Sequence, residues 1–284
     1  MFFDRISNSF ALARSSWNVL REEKQLLVFP IVSGIGCLLV LASFAAPIVA
    51  LALGGQIHFR DANGHPELWT YPVAFAFYFC NYFVIVFCNS ALISCALMRF
   101  NGQEPTLADG FSAAWSRLPQ IVAWSLLSAT IGVLLKAIEN VHERAGQIIS
   151  SLLGTAWTII TYFVVPVLVV EKLGPIDAVR RSMQLLKQTW GEALIGHFGL
   201  GLFKLLLTLP GILIVVLGGA MLMGNLFAIG VAFIVLGILY FLAVAAIGAA
   251  LDTIFLGALY QFAAFHRVPS GFDAGVMEGA FRRK

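Results

Sequence analysis

Charge is scarce in this chain. Asp, Glu, Lys and Arg together make up 12% of the residues, about half the share usual in soluble domains. Hydrophobic residues make up 60% and the mean hydropathy is +0.88, so there is too little polar surface to cover a fold in water. The bilayer must act as solvent for most of the chain. The net charge is only +3 and no basic domain stands apart from the apolar runs, which excludes nucleic acid as a partner. Cysteine is also rare. Cys37, Cys80, Cys88 and Cys95 all lie inside apolar runs, without a Cys-x-x-Cys pair and without a histidine at metal-ligand spacing. They read as small buried hydrophobes, and neither a structural disulfide nor a metal is implied. Catalytic motifs are missing as well. His58, His65, His142, His197 and His266 are scattered, and no metalloprotease, phosphate-loop, serine-hydrolase or dinucleotide signature occurs in a suitable setting. A non-enzymatic protein without a cofactor is expected. An intramembrane enzyme would instead need Glu171, His197 and Asp252 around one cavity.

What is present is a set of long apolar runs. A spanning helix needs about 20 mainly apolar residues, and six stretches qualify: 26–53, 70–98, 118–138, 151–171, 194–222 and 225–249. The third is diluted by Gln120, Ser125, Ser128 and Thr130. The last continues apolar, through Asp252, to about Phe265, so it either extends as a helix beyond the bilayer or breaks near Gly248. The first is far longer than the roughly 7–15 residues of a signal-peptide core, so it reads as an uncleaved span, with cleavage at Ala50-Leu51-Ala52 as the alternative. With both termini on the inner side, fourteen of the 18 Lys and Arg fall inside. Only Arg60, Lys136 and Arg144 fall outside, and Lys204 lies within a span. That asymmetry predicts six spans with both ends cytoplasmic.

The segment from Trp157 to Trp190 organises the reading. It holds the fourth span, then Glu171, a Gly174-Pro175 turn and a basic amphipathic stretch that feeds the fifth span. Comparable amphipathic helices are expected at 4–21 (Ile6, Phe10, Ala13, Trp17 and Leu20), at 105–117 (Leu107, Phe111, Ala114 and Leu118) and at 175–191 (Ile176, Val179, Met183, Leu186 and Trp190). Ser9–Trp17 aligns without gaps on Ser182–Trp190, matching serine, leucine, a basic residue, a hydroxyl residue and tryptophan. The copy around Trp115 matches poorly. The expected fold is therefore an all-α, polytopic bundle in one integral membrane domain over 1–284. It has three helical hairpins, each preceded by an amphipathic helix, and a cytoplasmic tail over 266–284. Shared interface physics alone would also place Trp and basic residues at these positions.

The polar residues at membrane depth are the candidate sites, because charge in lipid is costly and often functional. Lys204 sits ten residues into the fifth span, and Asp252 about as far from the polar end of the last run. They either pair, or Lys204 snorkels while Asp252 stands on a helix that leaves the bilayer. Glu171 either binds a cation or holds Arg180 or Arg181 of the next helix; alternatively it simply ends the span in water. Asn81 and Asn89, two turns apart on the second span, read as interhelical hydrogen bonders or as the lining of a polar cavity. Pro166 and Pro210 fall within spans, where proline frees a carbonyl and kinks the helix. Glycine is dense in the last two spans, which points to close helix packing.

At Trp157, Thr161, Pro166, Glu171, Arg181-Ser182, Lys187 and Trp190-Gly191, and in the opening SFALARSSWNVLREEKQLLVFPIVSG, the chain resembles a family of uncharacterised prokaryotic integral membrane proteins. More remotely, its layout is similar to the membrane domain attached to some glycerophosphoryl diester phosphodiesterases, whose catalytic domain has no counterpart here. The resemblance implies a six-helix membrane fold in a prokaryotic plasma membrane and transfers no activity. Two functions are then in play. One is binding of membrane lipids, a membrane-protein partner or a second copy through a basic collar of Arg180, Arg181 and Lys187, with Trp17, Trp115 and Trp190 as interface anchors. The other is a transporter or channel for a small or lipidic solute, using Lys204, Asp252, Asn81 and Asn89.

Overall fold

A computed structural model of the chain describes residues 2–55, 67–141, 145–224 and 226–272. Side chains at 2–10, 140, 141, 145 and 188–199 are not described. Expectations resting on Ile6, Ser9, Phe10, His58, His65, His142, His197, Trp190 and the tail beyond Phe272 therefore lie outside the described residues.

Among the described residues the regular structure is entirely helical. In order come α1 (Phe2–Glu22), a 3-10 turn (Lys24–Leu27), α2 (Val28–Leu53), α3 (Thr70–Phe100), α4 (Leu107–Trp115), α5 (Leu118–Val141), α6 (Ala145–Ile160), α7 (Val164–Val170), α8 (Pro175–Met223) and α9 (Phe227–Phe265). Six stretches are long and apolar enough to cross a membrane: Lys24–Leu53, Thr70–Phe100, Leu118–Glu139, Gly146–Val170, Leu200–Met223 and Phe227–Phe265. They correspond one to one with the six apolar runs. Two boundaries differ, and the last run takes the first of its two alternatives. The amphipathic stretch 175–191 and the fifth span join into one 49-residue helix, α8, since the backbone has no turn at Gly191. The sixth span continues past Gly248 to Phe265. The fourth is interrupted at residues 161–163, upstream of Pro166, whose ring crowds the preceding turn and which has no N–H for the Tyr162 carbonyl.

Helix ends follow local chemistry. Gly102, at φ 78°, closes α3 in a Schellman arrangement: Gln103 N–H donates to Met98 O at 3.1 Å and Gly102 N–H to Arg99 O at 2.9 Å. Lys172, at φ 59°, follows the end of α7, and Pro175 then opens α8 with Asp177 in its first turn. α9 stops at His266, at φ 52°, whose N–H donates to Phe262 O.

The chain divides into two compact units. The terminal unit comprises Met1–Pro30, Cys95–Leu107 and Lys187–Lys284. Its core joins α1 to the last third of α9. Leu12, Ala13, Val19 and Leu20 are buried, as are Leu26, Phe29, Leu251, Ile254, Phe255, Ala258, Leu259 and Tyr260. Arg99 pins this core from the end of α3, with Glu22 at 2.8 Å and Glu23 at 3.5 Å.

The rest of the terminal unit is the α8–α9 hairpin, whose seam is lined by glycine. A Cβ on Gly211 would come within 2.7 Å of Tyr240, one on Gly218 within 2.9 Å of Ile234, and one on Gly230 within 2.8 Å of the Leu222 backbone; one on Gly237 would overlap Val215. The outer surfaces of the hairpin are apolar and exposed, from Leu205 and Leu206 to Leu239 and Leu242, as lipid-facing helices require.

The central unit comprises Ile31–Ser94 and Ala108–Leu186. Within it α5 and α6 pack side by side. Trp124 and Trp157 stack at 5.7 Å with 12° between their rings, and Ser150 Oγ donates to Leu135 O at 3.1 Å. α2 meets α3 closely at Gly36, where a Cβ would come within 2.8 Å of Val84, and at the Phe44–Phe77 ring contact. Further along, a cavity of about 380 Å³ opens between the two helices, lined by Leu41, Phe44, Ile48, Trp69, Val73 and Phe77.

Candidate functional site

The interruption in the fourth span is held by polar groups from a neighbouring helix. An intact α-helix would bond Phe163 N–H to Ile159 O and Val164 N–H to Ile160 O. Instead, Tyr162 N–H takes Ile159 O at 3.2 Å and Val164 N–H takes Thr161 O at 3.0 Å. That leaves the Phe163 N–H and the Ile160 carbonyl to find partners. Both find Ser182 of α8: its hydroxyl donates to Ile160 O at 2.6 Å and accepts from Phe163 N–H at 3.0 Å. Ser182 is fully buried. One hydroxyl, acting as donor and acceptor, thus replaces two missing backbone bonds, which an apolar setting demands.

The next residues complete the joint. Arg181 Nε lies 2.9 and 3.0 Å from the two Glu171 carboxylate oxygens. Arg117, at the start of α5, donates from Nε to Val169 O at 3.0 Å, serving a carbonyl at the end of α7. Of the alternatives for Glu171, the side chains adopt the pair with Arg181. Arg180 reaches only its own helix, 3.5 Å from Asp177, and stays exposed. Around these occupied groups stands a free surface: Lys172 and Arg180 are exposed, and so are two large apolar side chains, Trp115 at 68% and Ile176 at 63%.

In the terminal unit, Lys204 and Asp252 meet, with Nζ 2.9 Å from Oδ1 and 2.8 Å from Oδ2. The stem of Lys204 lies over Gly248, one turn before Asp252, where a Cβ would come within 2.9 Å of its Cδ. Lys204 and Asp252 keep about a third of their side-chain surface. Nine residues separate Asp252 from Gln261, whose amide reaches Asn101 at 3.5 Å, so the pair stands about 13 Å from that polar level. Measured the other way, Lys204 is about 28 Å along α8 from Met223. A hydrocarbon core of about 30 Å beginning at Met223, where α8 ends, ends close to Lys204. The pair thus stands at the edge of the core nearer α1, and Asp252 begins the part of α9 that α1 covers.

The other expected residues behave more simply. Trp17 is half-buried, its ring 5.8 Å from Phe203 on α8, and packs as core. Lys187 is exposed. Asn81 donates to Phe77 O of its own helix at 2.9 Å, while Asn89 is half-buried two turns further on. The α2–α3 cavity presents an almost wholly apolar lining. Ser182, Gly248, Lys172 and Arg117 are the residues that sequence reasoning did not place in a candidate site. For Ser182 the available signals were its place at the head of the repeat shared with Ser9–Trp17 and its part in the Arg181-Ser182 match to the family.

No curated protein matches the chain in sequence. A family model described as a family of unknown function (DUF6159) matches residues 68–272. The match runs from the start of the second span through the end of α9 and takes in both the Ser182 joint and the Lys204–Asp252 pair, so this six-helix membrane chain belongs to that family.

Proposed function

We propose that the chain is a non-enzymatic, multi-pass protein of a prokaryotic plasma membrane that binds anionic lipid headgroups at the surface where α4, α7 and the start of α8 end. The observation that carries this reading is the pairing of two exposed cations, Lys172 and Arg180, with two exposed apolar anchors, Trp115 and Ile176, in one unit. Exposed cations at headgroup level favour anionic lipids by about 1 kcal/mol each, and a large exposed Trp beside them suits the interface. Arg181 is engaged by Glu171, so the collar here is narrower than the three cations expected from sequence. The charge asymmetry of the loops supports placing this surface, and both termini, in the cytoplasm. The likeness to the phosphodiesterase membrane domain is one of layout and lends no activity.

Native mass spectrometry of the protein released from lipid nanodiscs tests the reading. Retained phosphatidylglycerol is expected, and Lys172→Gln with Arg180→Gln should remove most of it. Retention that ignores both substitutions would sink the proposal.

The transport reading has one observation in its favour, the Lys204–Asp252 pair. Transporter sites lie near the bilayer midplane, whereas this pair stands at the edge of the core. Flux that vanishes in both Lys204→Met and Asp252→Asn, with the fold kept, would restore it.

A further inference from the structure

The Lys204–Asp252 pair uses only part of its hydrogen-bonding capacity. An ammonium has three N–H donors and a carboxylate about four acceptor sites. Two of each are used between Lys204 and Asp252, and among the described residues neither side chain has another partner. About a third of each side chain stays open. At the edge of the hydrocarbon core an open charge favours polar cover, and the neighbouring exposed side chains, Leu205 and Leu206, offer no polar group. Whatever covers the pair must therefore supply an acceptor for the spare Lys204 N–H and a donor for the spare Asp252 lone pairs. Gly248 leaves room for the Lys204 stem, which a larger residue there would have to move.

A phosphoethanolamine headgroup has both. Its phosphate oxygens accept from Lys204 Nζ, and its ammonium donates to the Asp252 carboxylate. We propose that the base of the α8–α9 hairpin is a binding site for a phosphoethanolamine-headed phospholipid. The site lies at the depth of headgroups, where a core of about 30 Å measured from Met223 ends. Leu205 and Leu206 then meet the acyl chains. An anionic headgroup without an amine serves Lys204 but is repelled by Asp252. A choline headgroup carries the right charges but has no N–H to donate. This site is independent of the anionic-lipid surface at Lys172 and Arg180, in the other unit.

The test is native mass spectrometry of the full chain from nanodiscs containing equal amounts of phosphatidylethanolamine, phosphatidylcholine and phosphatidylglycerol. Phosphatidylethanolamine is expected to be retained in roughly three- to tenfold excess over phosphatidylcholine, the preference one charge-assisted hydrogen bond supports at a half-open site. Asp252→Asn leaves Lys204 alone and should shift retention towards phosphatidylglycerol. Lys204→Met with Asp252→Leu should abolish the preference, while Lys172→Gln with Arg180→Gln should leave it intact. Soluble phosphoethanolamine, lacking acyl chains, should not displace the lipid. Equal retention of the ethanolamine and choline lipids by the unmodified chain would overturn the proposal without any variant having to fold. So would an ethanolamine preference that survives loss of both charges, or displacement of the lipid by the soluble headgroup.

Discussion

The fourth span and the α8–α9 hairpin solve the same problem in opposite ways. The fourth span gives up two backbone hydrogen bonds at residues 161–163 and recovers them from Ser182. The hairpin stays helical through Pro210, giving up only the bond that proline cannot donate, and gains close contact by having no side chains at the seam. A polar repair depends on a specific atom in a specific place. A glycine seam depends only on emptiness. The two regions should therefore fail differently.

Removing the repair should do the most damage. Ser182→Ala leaves the Phe163 N–H and the Ile160 carbonyl without partners where neither water nor lipid can serve them, at about 1–3 kcal/mol for each buried group. The expected result is a large fall in Tm in nanodiscs, with faster amide exchange confined at first to residues 160–167. Ser182→Thr, which retains the hydroxyl, should restore most of the loss. A Tm that is unchanged in Ser182→Ala would show that the joint finds its bonds elsewhere.

Filling the seam comes next. Gly237→Val sets two methyl groups against Val215, and overpacking of this kind costs about 1–3 kcal/mol. Gly201→Ala is the control, since nothing lies within 4 Å of the added atom. A thermal scan that separates the two identifies the seam as the source of hairpin stability. Equal Tm values would mean that the helices slide apart without loss.

The outlines of this contrast were readable before the structure, and its mechanism was not. Six spans follow from run length alone, because each needs about 20 apolar residues and each run has them. Glu171 and Arg181 are ten residues apart across one turn, close enough to be seen as a clamp. Ser182 and Phe163 are nineteen apart and joined by hydrogen bonds, and no local pattern marks a serine that will serve another helix's backbone. The density of glycine was visible, yet the sequence does not distinguish Gly201, in open space, from Gly237, against Val215. Lys204 and Asp252 could be matched by counting depth, but that count placed them inside the core. It did not foresee that α1 would pack against α9. The fusion of 175–191 with the fifth span was hidden for a related reason: the Trp190-Gly191 dipeptide reads as an interface signal, while the backbone stays helical there.

The Lys204–Asp252 pair should have a smaller effect on stability than either structural device. Losing one partner of a buried pair costs about 3–5 kcal/mol, but these groups are a third exposed, which reduces the figure to about 1 kcal/mol. Lys204→Met and Asp252→Leu should each lower Tm slightly, and the double variant should lie near the unmodified protein, because the two losses share one interaction. A double-mutant cycle in nanodiscs checks this. Additive single effects would mean that the groups act separately despite their 2.8 Å approach.

Smallest of all should be the effect of Arg180. Its contact with Asp177 is 3.5 Å long, lies within the first turns of α8 and is open to solvent on both sides. Such i,i+3 pairs contribute at most a few tenths of a kcal/mol. Arg180→Gln should leave Tm within about 1 °C of the parent, given that 1 kcal/mol moves a chain of this size by about 2–4 °C. Its neighbour Arg181→Gln breaks the link to Glu171 beside the Ser182 joint and should lower Tm measurably. The two adjacent arginines thus separate a lipid-facing charge from a fold-holding one. If Arg180→Gln lowers Tm as much as Arg181→Gln, the exposed guanidinium is holding structure, and the anionic-lipid surface loses one of its two cations.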